Sequence, residues 1–502
     1  MLTCPPDFHA GAALLDPAIA PPTAPALTVV DADGTHATHS RGELVAAARA
    51  RAGWIAANVP VDGRVGVCLP NSVAIAEFVL GALYAGRTVA PLSWSLTAGE
   101  LAFIARDAAL DVLVTLPERA SDAPDTRHVC PETATGTRLA APGPAHAASP
   151  AYLVYTSGTS GRPKGVLHAH RAIDARRAVI DHWHGMRRDD VVLHAGKLNW
   201  TYTLGIAVFD ALRTGAHAVV RTGPHDPTVW PGIVESLGVT LFAAVPTVYR
   251  QMLKYAPDDT ARAFTGVRHV LTAGEALRPA MLAAWTEATG CPMFEALGMS
   301  EVSTYISAGP STPTRPGSPG RPQPGRRVCI LPVDGGDTPL PAGETGLLAV
   351  HRTDPGLFVA YLGRPDEDAA VQRGEWFVGG DLAHLDDDGY VWFHGRADDL
   401  MNAFGHRVSP AEVEAAIHGA AGVADVAVVE RRVRDDVTAI CAFIVPTDAA
   451  TPPTVEALEA HVATRIADYK RPRAWRFVEA LPRTRSGKIR RAALPHPIDD
   501  GA

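Results

Sequence analysis

The chain has 502 residues, 47% of them hydrophobic and 20% charged, and a formal net charge of -8. That length calls for two or more domains, and the composition is that of a soluble globular protein. The negative balance argues against nonspecific nucleic-acid binding, which needs a basic face.

In chain order, Ser40 with Glu43 makes a capping box that opens a helix over 40–59. Residues 64–69 predict a strand, Asn71 caps the next helix, and Gly86 ends it. A strand follows at 88–92, then a helix opened by Thr97 with Glu100, then a strand at 111–115. This alternation argues for parallel, doubly wound sheets. Residues 117–150, rich in Ala, Pro, Thr and Gly, predict a surface loop.

The apolar run 151–155 predicts a buried strand leading into 155–165, Tyr-Thr-Ser-Gly-Thr-Ser-Gly-Arg-Pro-Lys-Gly. Glycines let a backbone turn sharply and approach a ligand closely, and successive free N–H groups make an anion-binding concavity. Thr156, Ser157, Thr159 and Ser160 add hydroxyl donors and Lys164 a positive charge, which together suit a polyphosphate. The string departs from Gly-x-x-x-x-Gly-Lys-Ser/Thr, because Pro163 precedes the lysine and Gly165 follows it.

Beyond it come helices at 171–183 and 199–212 and strands at 191–194, 217–221, 241–245 and 269–271. Pro and Gly become dense over 313–325. Strands at 327–331, 346–350, 381–385 and 390–394, with a turn at 386–389, then predict an appended antiparallel barrel or sheet. A small α+β unit closes the chain, with helices at 410–417 and 455–467 and strands at 426–429, 439–445 and 475–478. The boundary is placed at 396–399, giving an N-terminal domain of 1–396 and a C-terminal domain of 399–502. The expected fold class is thus α/β: doubly wound sheets with a β-barrel-like subdomain, and a small α+β C-terminal domain.

The six cysteines include no Cys-x-x-Cys pair, so neither a zinc ribbon nor a redox motif is indicated. No basic segment leads into an apolar run at the N-terminus. No signal peptide or membrane span is expected, and the expected compartment is the cytoplasm.

The string 155–165 resembles the phosphate loop of the adenylate-forming superfamily: acyl-CoA synthetases, peptide-synthetase adenylation domains and luciferases. The resemblance assigns Gly158 and Gly161 to that loop with the hydroxyl residues and Lys164. Residues 272–277, Thr-Ala-Gly-Glu-Ala-Leu, resemble a stretch that borders the acyl and adenine pockets, which implies that role for Gly274 and Glu275. Residues 295–301, Glu-Ala-Leu-Gly-Met-Ser-Glu, are similar to the family's Tyr-Gly-x-Thr-Glu. Glu301 then takes the magnesium, Gly298 keeps the glycine, Ser300 replaces threonine, and Leu297 replaces the ring that stacks on adenine.

Residues 376–381, Trp-Phe-Val-Gly-Gly-Asp, resemble Thr-Gly-Asp, which implies that Asp381 accepts the ribose hydroxyls. Residues 395–407, Gly-Arg-Ala-Asp-Asp-Leu-Met-Asn-Ala-Phe-Gly-His-Arg, resemble the hinge motif. There Arg396 contacts ribose or phosphate, Asp398 is the pivot, Gly405 lies beside the pantetheine channel, and Arg407 belongs to the C-terminal domain's face. Residues 482–490, Pro-Arg-Thr-Arg-Ser-Gly-Lys-Ile-Arg, resemble Pro-x-Thr-x-x-Gly-Lys, in which Lys488 bridges the carboxylate and the α-phosphate.

The family implies ATP, Mg²⁺ and CoA as cofactors, adenylate formation followed by thioester formation, and a homodimer. The resemblance implies that Lys164, Glu301 and Lys488 carry the catalysis. The segment 194–202, His-Ala-Gly-Lys-Leu-Asn-Trp-Thr-Tyr, is similar to the Lys-Leu-Phe-Phe-x-Tyr of benzoate-CoA ligases. That places Asn199, Trp200 and Tyr202 in an acyl pocket with Thr304 and Tyr305, although such aromatics serve equally as core packing. An aromatic or other compact acid is expected first, with a short or medium fatty acid as the alternative. A carrier-protein thiol remains an alternative acceptor.

Overall fold

The computed structural model describes residues 1–157, 163–224, 226–397, 401–403, 406–434, 437–483 and 489–495. Backbone contacts divide the chain into two compact units, Met1–Val328 with Val350–Phe377, and Cys329–Ala349 with Val378–Ala502.

The first unit holds two wound sheets. One is nine-stranded, and six of its strands run parallel: Met293–Met299, His269–Ala273, Leu241–Ala244, Val191–His194, His217–Arg221 and Pro25–Val30. Antiparallel strands close both edges. The other is seven-stranded, with Thr88–Ser93, Arg64–Leu69, Val112–Thr115 and Arg127–Val129 parallel and the hairpin Pro150–Ser157/Pro163–Ala169 toward one edge. Interior strands such as Leu241–Ala244 and His269–Ala273 are buried along their whole length, as strands covered on both faces must be. Phe242, Tyr249, Phe264 and Trp285 pack edge to face in the core beside them. Both expected capping boxes form, Ser40 with Glu43 and Thr97 with Glu100.

Three local expectations change. The stretch 117–150 is not all loop: Arg127–Val129 pairs in parallel with Val112–Thr115 and extends the sheet. Asn71 is no helix cap; Ser72 occupies that position. Asn71 instead donates to the carbonyls of Gly196 (3.0 Å) and Arg221 (2.9 Å) and accepts from the N–H of Leu198 (2.8 Å). The helices at 171–183 and 199–212 each contain a π-helical turn, Ile180–His184 and Gly205–Asp210. In the second, Asp210 receives both arms of the Arg176 guanidinium, at 2.6 and 2.5 Å. A Cβ on Gly205 would stand 2.4 Å from that guanidinium, so the wide turn and the glycine together admit the ion pair.

In the second unit, Val328–Leu331, Gly346–His351 and Trp376–Leu385 are successive neighbours in a sheet, and Val391–Arg396 pairs antiparallel with Trp376–Leu385. A hairpin, Met401–Ala403/His406–Val408, and a three-stranded sheet, Val423–Arg434, Val437–Pro446 and Ala474–Phe477, follow. Helices Pro410–His418 and Val455–Ala463 bury Val413, Ile417, Leu458 and Val462 in one cluster with Val426, Val428, Ile440 and Ile444 of that sheet. The compact-unit division therefore falls upstream of 396–399, because 378–396 is strand-paired into the sheet that 329–349 belongs to. No helix among the described residues is long and apolar enough to cross a membrane.

Candidate nucleotide and acid site

The described ends of the hydroxyl-rich string belong to the hairpin strands Pro150–Ser157 and Pro163–Ala169. Thr156 pairs with Lys164 and Ser157 with Pro163, so the two strands end at the loop's two sides. Gly158, Thr159, Ser160 and Gly161 lie outside the described residues. The stem below them is tied down: the Tyr155 hydroxyl donates to Asp107 (2.8 Å), and Arg364 bridges Asp107 (2.9 Å) and the carbonyl of Pro163 (3.4 Å).

Lys164 is mostly buried. Its Nζ lies 3.1 Å from Glu367 Oε2 and 3.6 Å above the centre of the Tyr361 ring. The Tyr361 hydroxyl donates to Glu301 Oε1 at 2.7 Å, and its backbone N–H donates to Asp368 Oδ1 at 2.7 Å. Burial, then the Glu301 charge, push the phenol up, so it stays a donor. Sequence reading missed Tyr361, Glu367 and Asp368. Their local signal is only Pro365 opening a helix whose first turn is acidic, an ordinary helix start.

Glu301 lies in the turn between Met293–Met299 and Ser303–Ser307. Three bonds fix that turn: His168 Nε2 donates to the Ser300 carbonyl (2.7 Å), Phe358 N–H to the Glu301 carbonyl (2.7 Å), and Arg176 to Ser303 Oγ (2.7 Å). Burial lowers His168 to about 4, so the ring is neutral with its proton on Nε2. A Cβ on Gly298 would stand 2.6 Å from the Ser303 carbonyl, which explains the glycine. Leu297 is half-buried on the same strand, paired with Ile306.

Glu301 Oε1 accepts the hydrogen bond from the Tyr361 hydroxyl, and among the described residues Oε2 has no hydrogen-bond partner. One free carboxylate oxygen suits magnesium, which takes one or two carboxylates and fills its shell with phosphate and water. Among the described residues no group of three His, Cys, Asp or Glu could hold a metal unaided.

Gly274 ends the strand His269–Ala273 with φ +90°, and a Cβ there would meet Trp200 Cη2 at 2.9 Å. Glu275 accepts from the Thr247 N–H (3.1 Å) and hydroxyl (2.7 Å). Glu295, to which the sequence assigned no role, is buried and accepts from Leu277 N–H at 3.0 Å; burial raises its carboxyl to about 8.

Tyr202 is packed by the rings of Trp183 (5.6 Å), His194 (4.3 Å) and Trp200 (5.3 Å), and its hydroxyl donates to the Leu271 carbonyl at 3.0 Å. Trp200, Tyr202 and Gly274 thus come together. Thr304 and Tyr305 are buried neighbours on one strand, so they point to opposite faces and cannot both line one pocket. Asn199 lines a cleft of about 230 Å³ with Lys197, Asn71, Ser93, Trp94 and Ser95. That cleft lies at the carboxyl ends of the strands Arg64–Leu69 and Thr88–Ser93, where open α/β sheets take ligands.

In the second unit Asp381 is buried opposite Arg396, and Arg396 Nη1 donates to Asp381 Oδ1 (3.3 Å) and the Gly379 carbonyl (2.6 Å). Gly380 has φ +83°, and a Cβ there would stand 3.0 Å from Arg396 Nη2. The Ser409 hydroxyl donates to the His394 carbonyl. The backbone of Arg407 lies in His406–Val408, paired with Asn402. Asp398, Gly405 and Lys488 lie outside the described residues.

Residues 17–362 match the family model of the AMP-binding enzymes, and residues 412–488 that of the AMP-binding enzyme C-terminal domain. The chain is 33% identical over 359 residues to 3-hydroxybenzoate–CoA ligase of Aromatoleum sp. (strain CIB), covering 70% of this chain and 67% of that protein. It is 32% identical over 353 residues to the mitochondrial acyl-coenzyme A synthetase ACSM3 of Rattus norvegicus, covering 68% of this chain and 60% of that one. A solved benzoate CoA ligase from Burkholderia xenovorans LB400 matches with a TM-score of 0.84 at 26% identity, over 97% of this chain and 99% of that one. The chain belongs to the AMP-binding enzyme family, with the fold of the adenylate-forming acyl- and aryl-CoA ligases.

Proposed function

We propose that the protein joins a carboxylic acid to ATP, releasing pyrophosphate and leaving an acyl-adenylate, and then passes the acyl group to the thiol of coenzyme A with loss of AMP. The observation that carries this reading is the meeting of Lys164 and Glu301 on the single ring of Tyr361. A cation from the hydroxyl-rich loop and a metal-binding carboxylate stand together where a polyphosphate needs both.

Charge grows on the phosphate oxygens as the carboxylate attacks, so prearranged donors and cations carry most of the catalysis. Thr156, Ser157, Thr159 and Ser160, with the N–H groups of Gly158 and Gly161, cradle the phosphates, and Lys164 balances their charge. Magnesium, when bound, neutralises phosphate charge from the Glu301 side. Asp381 accepts the ribose hydroxyls with Arg396 beside it. Leu297, Gly298, Ser300, Gly274 and Glu275 border the base and the acyl group. Lys488 holds the carboxylate against the α-phosphate. Asp398 is the pivot between half-reactions, with Gly405 and Arg407 on the thiol side.

The acid is aromatic or otherwise compact. The Trp200, Tyr202 and His194 rings around the Gly274 turn support this, as does the likeness to ligases named for benzoate and 3-hydroxybenzoate. The likeness to ACSM3 supports a short or medium fatty acid as the second reading. A cytoplasmic homodimer belongs to the same proposal. Pyrophosphate release over a panel of aromatic and aliphatic acids, with and without CoA, tests it. Thioester formation is expected with a benzoate-type acid. Release that never proceeds to a CoA thioester would transfer the second step to a carrier-protein thiol, and no release with any acid would overturn the reading.

A further inference from the structure

Tyr361 lies outside every motif singled out in the sequence, yet it touches both Lys164 and Glu301, the two groups proposed to serve the phosphates. The residue is 3% exposed. Its ring packs against Phe358 (4.8 Å between centroids) and carries the Lys164 ammonium above its centre at 3.6 Å. Its hydroxyl reaches Glu301 Oε1 at 2.7 Å, and its backbone N–H is held by Asp368 at 2.7 Å. The hydroxyl takes one acceptor site on Oε1, and among the described residues Oε2 has no hydrogen-bond partner.

We infer that Tyr361 is a positioning residue for the adenylation step: its hydroxyl aims one Glu301 oxygen at the metal, while its ring face holds the Lys164 ammonium on the phosphate side. This rests on the reading of Glu301 as the metal carboxylate. The two jobs use different parts of one side chain, so they separate by substitution. Without the hydroxyl, Glu301 turns about its terminal torsion, which is broad when nothing restrains it. Without the ring, Lys164 loses its cation–π seat and, among the described residues, keeps the Glu367 ion pair.

The test uses the full-length enzyme and Mn²⁺ in place of Mg²⁺, with binding to the enzyme–αβ-methylene-ATP complex read by electron paramagnetic resonance. Tyr361→Phe is expected to weaken Mn²⁺ binding by roughly tenfold, the scale of one lost hydrogen bond to a charged group. Its affinity for the nucleotide analogue in EDTA should stay unchanged. Tyr361→Leu is expected to weaken Mn²⁺ binding equally and also to lower analogue affinity in EDTA several-fold. Glu301→Gln is the reference. Should Glu301→Gln weaken Mn²⁺ binding while Tyr361→Phe does not, the positioning role is overturned. Equal loss in both assays for Tyr361→Phe, with a lowered melting temperature, overturns it in favour of simple packing. Unchanged Mn²⁺ binding in Glu301→Gln would remove the Glu301 assignment itself, and the role of Tyr361 with it.

Discussion

Asp381 and Arg396 are registered partners on adjacent antiparallel strands, with carboxylate and guanidinium 3.3 Å apart. Asp381 is buried at 6% exposure, with the guanidinium as a counter-charge. On the proposed ribose role, Asp381→Ala would remove the acceptor for two ribose hydroxyls and the carboxylate that Arg396 Nη1 meets at 3.3 Å. ATP affinity is expected to fall roughly tenfold or more, measured by calorimetry on folded protein. Unchanged affinity would remove the ribose assignment.

Gly274 and Trp200 provide a second test. The φ of +90° excludes most side chains, and a Cβ would stand 2.9 and 3.0 Å from two indole carbons of Trp200. Gly274→Ala must displace the indole or the turn, at a cost of about 1–3 kcal/mol for an overpacked contact. The Michaelis constant for the acid is expected to rise roughly tenfold while that for ATP stays nearly constant. An unaltered acid profile would place Trp200 away from the acyl group.

Stability should fall on acidification. Burial lowers His168 and His269 to about 4 and His170 and His194 to about 3, from an ordinary 6.5. Their neutral forms contribute fully above pH 6.5, and the contribution is lost as pH falls toward those values, because the unfolded chain binds the protons. Glu295 acts oppositely: raised to about 8, its stabilising protonated form is fully effective below about 4.5 and lost as pH rises through 8. His170→Asn retains an acceptor for the Ala10 N–H, which His170 Nδ1 now receives at 3.0 Å. Urea unfolding between pH 6.5 and 4.5 should then show a slope smaller by about 1.4 kcal/mol per pH unit. An identical slope would mean that this ring does not titrate on unfolding.

Lys488→Ala should reduce adenylate formation by roughly two orders of magnitude, the scale of one lost transition-state donor. Thioester formation from supplied acyl-adenylate should survive. Rapid-quench measurement of each half-reaction separates the two, and equal loss in both would refute the assigned role.

Features encoded by near neighbours were legible in the sequence. The capping boxes at Ser40 and Thr97 span four residues each and formed as expected. The apolar runs 241–245 and 269–271 appear as the buried parallel strands Leu241–Ala244 and His269–Ala273, because two covered faces leave no polar alternation. Features set by distant partners were not legible. Asn71 sits where a cap belongs, but its amide partners lie 125 and 150 residues away. The π turn at Gly205–Asp210 depends on Arg176, which no helical period reveals. Tyr361 and Glu301 are 60 residues apart, and neither neighbourhood announces the other. The same distance rule hid Glu295, whose raised carboxyl follows from burial alone.

The ion pair of Lys164 with Glu367 bears on how tightly a nucleotide can be held. The lysine already has a counter-ion, 3.1 Å away on the first turn of a neighbouring helix. On the proposed reading, an arriving polyphosphate exchanges one anionic partner of Lys164 for another, while Glu367 keeps Arg364 at 3.6 Å. Binding therefore reports the difference between two ion pairs rather than the full attraction of a bare ammonium. After pyrophosphate leaves, the same carboxylate stands ready to reclaim the lysine, so the exchange that moderates affinity also opposes product retention.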